Sequence, residues 1–326
     1  MDTWCVQPML YGKKPEGQPA SNPKASAATA SFVAGGLIFI MHHHHYTNDI
    51  MGWAGEMHQL ANNCASIWKS SEDIPEPPFP LGPRPAWIYP GSPSLTLRRS
   101  SVSTDLCRPY ATLTTRLLKK LTSSEDGNWI FSYDAYMGYI WRVLSKHRAR
   151  LSKLDLKQNL LWVEAVDMRR RFHEPRVPAR IQGNVVWVVL TVSYHGYPRY
   201  RCIRQLTNDA TQDAVSARLA AIAPIRDNTT LLHRTDSLPP MSNITTGWRD
   251  TAPGDADFGF ATPCAFHSPF NTATAGFTIV YQARKNGPAG DDKGNKLSIG
   301  FEKELAKDPI EDAEWNKFFE FRDMQH

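Results

Sequence analysis

Hydrophobic residues follow one another almost without interruption over residues 31–41, which read SFVAGGLIFIM. A continuous apolar run of this kind predicts a strand that is buried on both faces. Over residues 50–69 the hydrophobic residues instead recur every three or four positions, which predicts an amphipathic helix. Asp49 stands directly before this helix, where a carboxylate can accept hydrogen bonds from free backbone N–H groups. The pattern therefore predicts a strand, a short polar turn and a helix.

Helix and strand patterns are also mixed through the rest of the chain. We predict helices at residues 104–121, 132–150 and 212–225, and strands at residues 160–166, 184–193, 277–282 and 297–302. The last two strands are expected to form a hairpin across a turn-rich segment. Ser132 is the expected N-cap of the helix at residues 132–150, and Asp308 is the expected N-cap of a last helix near the end of the chain. The fold class is therefore α/β or α+β.

A proline-rich segment separates the first helix from these later elements. Eight of the 24 prolines lie within residues 75–93, a density that permits neither a helix nor a central strand. The segment is expected to be a stiff linker between two domains. We therefore assign residues 1–74 to a first domain, 75–103 to the linker and 104–326 to a second domain.

The composition narrows the classes of function. The net charge of the 326 residues is +5 with scattered Lys and Arg, so no basic patch predicts nucleic-acid binding. The longest apolar run is about ten residues, half of what a membrane-spanning helix needs. No CxxC pair occurs among the five cysteines, which argues against a zinc site or a disulfide framework. The first residues show no secretory signal pattern, so we expect a cytoplasmic protein with neither a nucleic-acid nor a membrane partner.

His45 and Asp49 form an H-x-x-x-D pair between the predicted strand and helix. An imidazole has a pKa close to neutrality, so it can take a proton from a hydroxyl and return it within one turnover. Residues 42–45 are all histidine, which leaves two other interpretations open, a solvated polar turn and a metal site. A metal site needs further ligands, and only His58 on the helix offers one. We expect no bound metal.

Two other clusters contain candidate functional residues. One follows the strand at residues 160–166 and combines charged side chains with a Gly-Asn pair before the next strand: Asp167, Arg169, Arg170, Arg171, Gly183 and Asn184. Its arginines predict ion pairs that lock the fold, or else a solvated charged loop. The other is Asp257-Phe258-Gly259-Phe260, where the glycine permits a backbone conformation that other residues resist. Alone, this second cluster is typical of a structural turn.

In their order along the chain, these motifs resemble the BAHD family of acyl-CoA-dependent acyltransferases, and most of all its fungal secondary-metabolism branch. The motifs are H-x-x-x-D after an apolar strand, A-V-D-x-R-x-R, G-N and D-F-G-aromatic. The resemblance implies that His45 is the catalytic base. It also implies that Asp49 shapes the site by pairing with an arginine, for which Arg169 is the expected partner. Asp257, Gly259 and Phe260 would belong to the family's structural D-F-G-W-G motif.

The resemblance further implies a fold and a reaction. The fold would be α/β, with two chloramphenicol-acetyltransferase-like domains around a central channel. The reaction would move an acyl group from acyl-CoA to a hydroxyl or amine of a small secondary metabolite. Acyl-CoA would be a co-substrate rather than a permanently bound cofactor, and the protein would act as a monomer. The resemblance identifies no CoA-binding residues.

The chain departs from the family pattern at several places, among them a link between residues 193 and 199 that is shorter than expected. Ile50 stands where many relatives have glycine, and Phe260 and Ala261 replace a Trp-Gly pair. Relatives also have several more strands before the H-x-x-x-D strand, so we expect a first domain that is truncated, with residues 1–74 as its remnant. Two alternatives follow: an inactive relative or non-enzymatic binding scaffold of the same fold, and a metal-binding protein that uses the histidine run.

Overall fold

The computed structural model describes residues 26–43, 45, 47–70, 102–107, 131–153, 159–179, 181–193, 198–225, 238–268, 275–283, 285, 294–305, 307–319 and 321–325. The first elements are β1 (Ser26–Val33), β2 (Gly36–His43) and α1 (Ile50–Ser70). Next come β3 (Val102–Cys107), α2 (Ser132–Ser152), β4 (Leu160–Asp167), β5 (Val186–Ser193), α3 (Arg199–Asp209) and α4 (Gln212–Ile222). The last are β6 (Asn243–Trp248), β7 (Phe277–Tyr281), β8 (Lys296–Phe301), α5 (Asp308–Glu311) and β9 (Phe321–Gln325).

The prediction of a single strand over residues 31–41 is wrong, because the chain reverses inside this run. β1 and β2 form an antiparallel hairpin in which Val33 pairs with Gly36, so only Ala34 and Gly35 make the turn. Gly35 has a φ of 78°, a conformation that residues with a Cβ atom rarely adopt. The hairpin is also not buried on both faces, since alternate residues of β1 are exposed and Phe32 is 72% exposed. The turn at Ala34 and Gly35 therefore divides what the hydrophobic run alone suggests is one strand.

The other seven strands among the described residues form one mixed sheet in the order β5-β4-β6-β7-β8-β3-β9. β4, β6 and β7 are parallel to one another, whereas the remaining neighbours pair antiparallel. The carboxyl ends of the three parallel strands, at Asp167, Trp248 and Tyr281, therefore lie along one edge of the sheet. In open α/β sheets this edge is where ligands bind.

The main hydrophobic core lies between the sheet and helices α2 and α3. Trp141 of α2 packs against Trp162 of β4 with ring centroids 5.3 Å apart, and both side chains are fully buried. The same cluster contains residues of both helices and of the central strands: Met137, Ile140, Leu144, Ile203, Leu206, Val280, Leu297 and Ile299. The helices therefore cover one face of the sheet.

Most long elements lie where the hydrophobic pattern predicts them, within a few residues. This holds for α1, α2 and α4 and for β4, β5, β7 and β8, the last two paired antiparallel as expected. Both predicted caps outside α1 are wrong by one position. Phe131 is the N-cap of α2, where the Asp134 carboxylate accepts the Phe131 N–H at 2.8 Å. Asp308 is the first residue of α5, whose N-cap is Lys307.

The helix predicted over residues 104–121 is wrong where it can be compared, because residues 104–107 belong to β3. The rest of that prediction, and residues 75–101 of the predicted linker, lie outside the described residues. Val102 and Ser103, assigned to the linker, are also part of β3. The pattern missed α3, β6 and β9. Among the helices that the structure describes, none has the length and apolar character needed to span a bilayer.

Candidate active site

The start of α1 lies against the loop that follows β4, although Asp49 and Arg169 are 120 residues apart in the chain. The same part of α1 is held to the sheet by aromatic contacts. Phe266 packs against Trp53 of α1 at 5.3 Å, and against Trp248 and Tyr281 at 6.1 Å and 5.9 Å between ring centroids. The H-x-x-x-D segment is therefore placed beside the edge where the parallel strands end.

Asp49 is the N-cap of α1 and also the partner of a buried arginine. Its Oδ1 accepts hydrogen bonds from Gly52 N at 2.8 Å and from Arg169 Nη2 at 2.9 Å. Its Oδ2 accepts from Arg169 Nη1 at 2.9 Å and from Val185 N at 2.7 Å. Only 4% of the residue is exposed. The predicted contact with Arg169 is present. His45 is not among the described donors to this carboxylate, whereas in a catalytic triad the histidine donates to the aspartate.

Arg169 is 1% exposed and joins three segments of the chain. Its two Nη atoms form a bidentate pair with Asp49, the geometry in which such pairs are strongest. Nη1 also donates to Asp167 Oδ1 at 2.9 Å, and Nη2 donates to the carbonyls of Ile181 at 3.1 Å and Gly183 at 2.8 Å. Burial opposes the charge, whereas the bonds to Asp49 and Asp167 favour it, and the pKa of Arg169 is raised. The guanidinium therefore remains charged and ties α1 to the loop over residues 181–185.

His45 lies at the exposed side of this junction. Its backbone carbonyl accepts a hydrogen bond from Asn184 Nδ2 at 2.9 Å. The neighbouring Asn48 accepts the Gly183 N–H with Oδ1 at 2.6 Å, and the Asp49 N–H donates to the Gly183 carbonyl at 3.5 Å. His45, Asn48 and Asp49 are therefore each hydrogen-bonded to residue 183 or 184, while His45 itself is exposed.

The other histidines occupy different environments. His43 ends β2 and is half-buried beside Trp53, with ring centroids 6.4 Å apart. Burial, and then the charges of His45 and His42, lower the pKa of His43 to about 4, so it is neutral at neutral pH. The Nε2 of buried His58 donates to the Thr251 carbonyl at 3.0 Å. In the described part of the chain, no group of three His, Cys, Asp or Glu side chains is arranged to hold a metal ion.

Asp257 to Phe260 form a turn against the far end of α1. Gly259 has a φ of 88°, and its N–H donates to Asp257 Oδ1 at 2.8 Å. A Cβ atom on Gly259 would lie 2.8 Å from the Cα atom of Ala65 and 2.9 Å from Cβ of Trp68. Ala65 is about 22 Å along the helix from its first residue at 1.5 Å per residue. This motif is therefore remote from Asp49 and Arg169, and its contacts are those of a packing turn.

The other two arginines of the cluster have different partners. Arg170 approaches Asp250 at 4.0 Å, with both side chains largely exposed. Arg171 donates through Nη1 to the carbonyls of Thr207 and Ala210. Of the three arginines, Arg169 alone contacts the H-x-x-x-D segment in the part of the chain that the structure describes.

Sequence reasoning missed the tight fit around Gly52. A Cβ atom there would lie 2.7 Å from Asn48 Oδ1 and 2.8 Å from the Gly183 carbonyl oxygen. Nothing in the local pattern distinguishes Gly52 from other helical glycines. For Asn184 the sequence offers one signal, the Gly183-Asn184 pair shortly before a strand.

The sequence matches the model of a known protein family over most of its length. Residues 28–304 match the model of the Transferase family, a range that includes residues 45–49, 167–185 and 257–260. The acetyltransferase FGR3 of Gibberella zeae is 39% identical to the chain, over 99% of this chain and 69% of the relative.

Several solved structures are similar at lower sequence identity. TRI101 of F. graminearum with ethyl coenzyme A gives a TM-score of 0.69 at 16% identity, over 93% of this chain and 72% of that one. TRI101 of F. sporotrichioides with coenzyme A and T-2 gives 0.66 at 19%, over 91% and 70%. Vinorine synthase gives 0.58 at 19%, over 86% and 63%. These similarities confirm the mixed α/β architecture.

Proposed function

The chain belongs to the Transferase family, the BAHD acyltransferases, and from this premise we propose that it transfers an acyl group from acyl-CoA to a small secondary metabolite. The accepting group would be a hydroxyl or an amine. The relative FGR3 is named an acetyltransferase, and the similar TRI101 structures hold coenzyme A or its ethyl derivative, one of them together with T-2. These names support coenzyme A thioesters as donors and small molecules as acceptors.

The observation that supports a catalytic site at His45 is the contrast between it and Asp49. Asp49 is buried and takes four hydrogen bonds from Arg169, Gly52 and Val185, so it has no role left in moving protons. His45 is exposed, and the described contact that fixes it is made by its backbone. This arrangement suits a general base whose backbone is held by Asn184, with Asp49 and Arg169 as structural residues.

In the proposed mechanism, His45 removes the proton from the acceptor's hydroxyl or amine as that atom attacks the thioester carbonyl. A carbon–oxygen or carbon–nitrogen bond forms, and the carbonyl becomes a tetrahedral intermediate. The carbon–sulfur bond then breaks, and the leaving CoA sulfur takes the proton back from His45. The acyl group passes directly to the acceptor, so no serine or cysteine nucleophile is required.

We further propose that residues 1–74 and 104–326 form two chloramphenicol-acetyltransferase-like domains with a channel between them, in a monomeric, cytoplasmic enzyme. The contact between α1 and the loop over residues 181–185 supports this arrangement, because it joins segments from the two proposed domains. Asp257, Gly259 and Phe260 would hold the end of α1 from the side of the second domain.

The purified chain should be tested with acetyl-CoA and a panel of hydroxylated and amine-containing acceptors, with free CoA thiol and acylated product both measured. We expect His45→Ala to lower transfer by about 10²- to 10⁴-fold, the usual weight of a positioned acid–base group. His42→Ala is the matched control from the same histidine run and should retain most of the activity. Equal activity of His45→Ala and wild type would overturn the proposal. Binding of acyl-CoA without transfer to any acceptor would instead favour a non-enzymatic scaffold of the same fold.

A further inference from the structure

Asn184 makes a contact that the proposed mechanism does not use. Its Nδ2 donates a hydrogen bond to the backbone carbonyl of His45 at 2.9 Å, across 139 residues of the chain. The contact lies on the exposed side of the junction, apart from the buried guanidinium of Arg169. The side chain of Asn184 therefore contacts the proposed base, His45, at its backbone carbonyl.

The loop that presents Asn184 is fixed on both sides. Gly183 has a φ of 113°; its N–H donates to Asn48 Oδ1 at 2.6 Å, and its carbonyl accepts from Arg169 Nη2 at 2.8 Å. On the other side, the Val185 N–H donates to Asp49 Oδ2 at 2.7 Å. Asn184 is thus held between two anchored neighbours, so its side chain acts from a defined position.

We infer that Asn184 is a positioning residue, which orients the imidazole of His45 by fixing the carbonyl of its peptide group. This inference rests on the proposed function of His45 as general base. Asp49 and Arg169 hold the residues after the turn, and their hydrogen bonds stop at residue 49. The bond from Asn184 is the described contact that reaches His45 itself, so it determines where the turn places this residue.

The test compares Asn184→Ala, Asn184→Asp and Gln182→Ala. Aspartate has the shape of asparagine but no N–H to donate to the carbonyl, so both changes at position 184 remove the bond. Gln182 lies in the same loop and makes an exposed contact with Gln59 at 3.4 Å, away from His45. Its alanine variant is therefore the matched control.

We expect Asn184→Ala and Asn184→Asp to lower kcat by on the order of 10- to 100-fold, because small misplacements of a catalytic group have effects of this size. The KM for acetyl-CoA and the melting temperature should change little, since the bond is exposed and lies outside the buried ion pair. The dependence of kcat on pH in the acid range should be the same for Asn184→Ala as for wild type, because the substitution removes no charge. Gln182→Ala should match wild type in every measurement.

The outcomes separate this inference from the proposed function. If wild type is active, His45→Ala is inactive and Asn184→Ala equals wild type in kcat, the inference fails and the proposed function stands. If wild type transfers no acyl group, the proposed function fails, and hydrogen exchange of the amides at residues 45–49 decides the inference. Faster exchange there in Asn184→Ala than in Gln182→Ala supports the positioning contact, whereas equal exchange overturns it.

Discussion

Replacing Asp49 by asparagine should lower stability and activity together, because it removes one charge from a buried ion pair. The carboxylate accepts four hydrogen bonds. An asparagine has one acceptor oxygen, and its amide N–H₂ would face two donors, Arg169 together with either the Gly52 N–H or the Val185 N–H. Breaking a buried pair from one side typically costs about 3–5 kcal/mol. Arg169 would keep Asp167, whose side chain is 33% exposed, so we expect the lower end, about 3 kcal/mol.

A loss of this size is readily measured, because a whole domain is stable by only about 5–15 kcal/mol. Urea unfolding followed by tryptophan fluorescence should give a lower midpoint for Asp49→Asn with an unchanged slope. The matched control is Asp250→Asn, since Asp250 lies 4.0 Å from Arg170 at an exposed site. An exposed pair of this kind contributes at most about 1 kcal/mol.

A double-mutant cycle with Arg169→Met isolates the pair from the effects of each residue alone. Groups that share a hydrogen-bond network couple by about 0.5–3 kcal/mol, and this bidentate, buried pair should lie at the upper end. Coupling between Asp49 and Arg169 below about 0.5 kcal/mol would refute the reasoning. So would an Asp49→Asn variant that is no less stable than Asp250→Asn.

Two further predictions concern packing and pH. Gly52→Ala should cost about 1–3 kcal/mol in unfolding free energy and reduce activity, because its Cβ would press on Asn48 and Gly183. Gly247→Ala, where nothing lies within 4 Å of the new Cβ, is the control, and equal unfolding free energies would contradict this expectation. Burial raises the pKa of Glu164 from 4.5 to about 7, so the folded chain binds this proton more tightly than the unfolded chain does. The stability that Glu164 contributes is therefore full below about pH 4.5 and is lost as the pH rises to about 7. The loss should be roughly 3 kcal/mol, since a tenfold change in an acid constant corresponds to about 1.4 kcal/mol. Glu164→Gln should show no such loss when urea unfolding is measured across that pH range. If the unfolding free energies of the variant and wild type change in parallel with pH, this expectation is contradicted.

The elements that sequence predicts best are long and have one regular pattern. α1 spans 21 residues, and its apolar stripe and the carboxylate before it agree on where it begins. The contact of Asp49 with Arg169 was also expected, but from the resemblance of several motifs taken together. The spacing of Asp49 from His45 alone gives no reason to choose an arginine as its partner over the histidine.

Short apolar runs are difficult to interpret because hydrophobicity alone does not show where the chain reverses direction. In residues 31–41 hydrophobicity suggests a single buried strand, and the Gly-Gly pair in its middle is the stronger signal. The strand β3 was mistaken for part of a helix, because its six residues have little local pattern and its conformation depends on pairing with β8 on one side and β9 on the other.

The fine structure of the site is least predictable because much of it consists of bonds to backbone groups. Asn184 donates to a carbonyl, Asn48 accepts from an N–H, and Arg169 donates to two carbonyls as well as to carboxylates. Every residue has a backbone carbonyl and all except proline have an N–H, so the sequence does not show which residue is the partner. The side chain that reaches these groups can be seen in the sequence, and an asparagine directly after a glycine is typical of a turn. Asn184 could therefore be suspected from Gly183-Asn184, whereas its target at His45 required the fold that brings the two segments together.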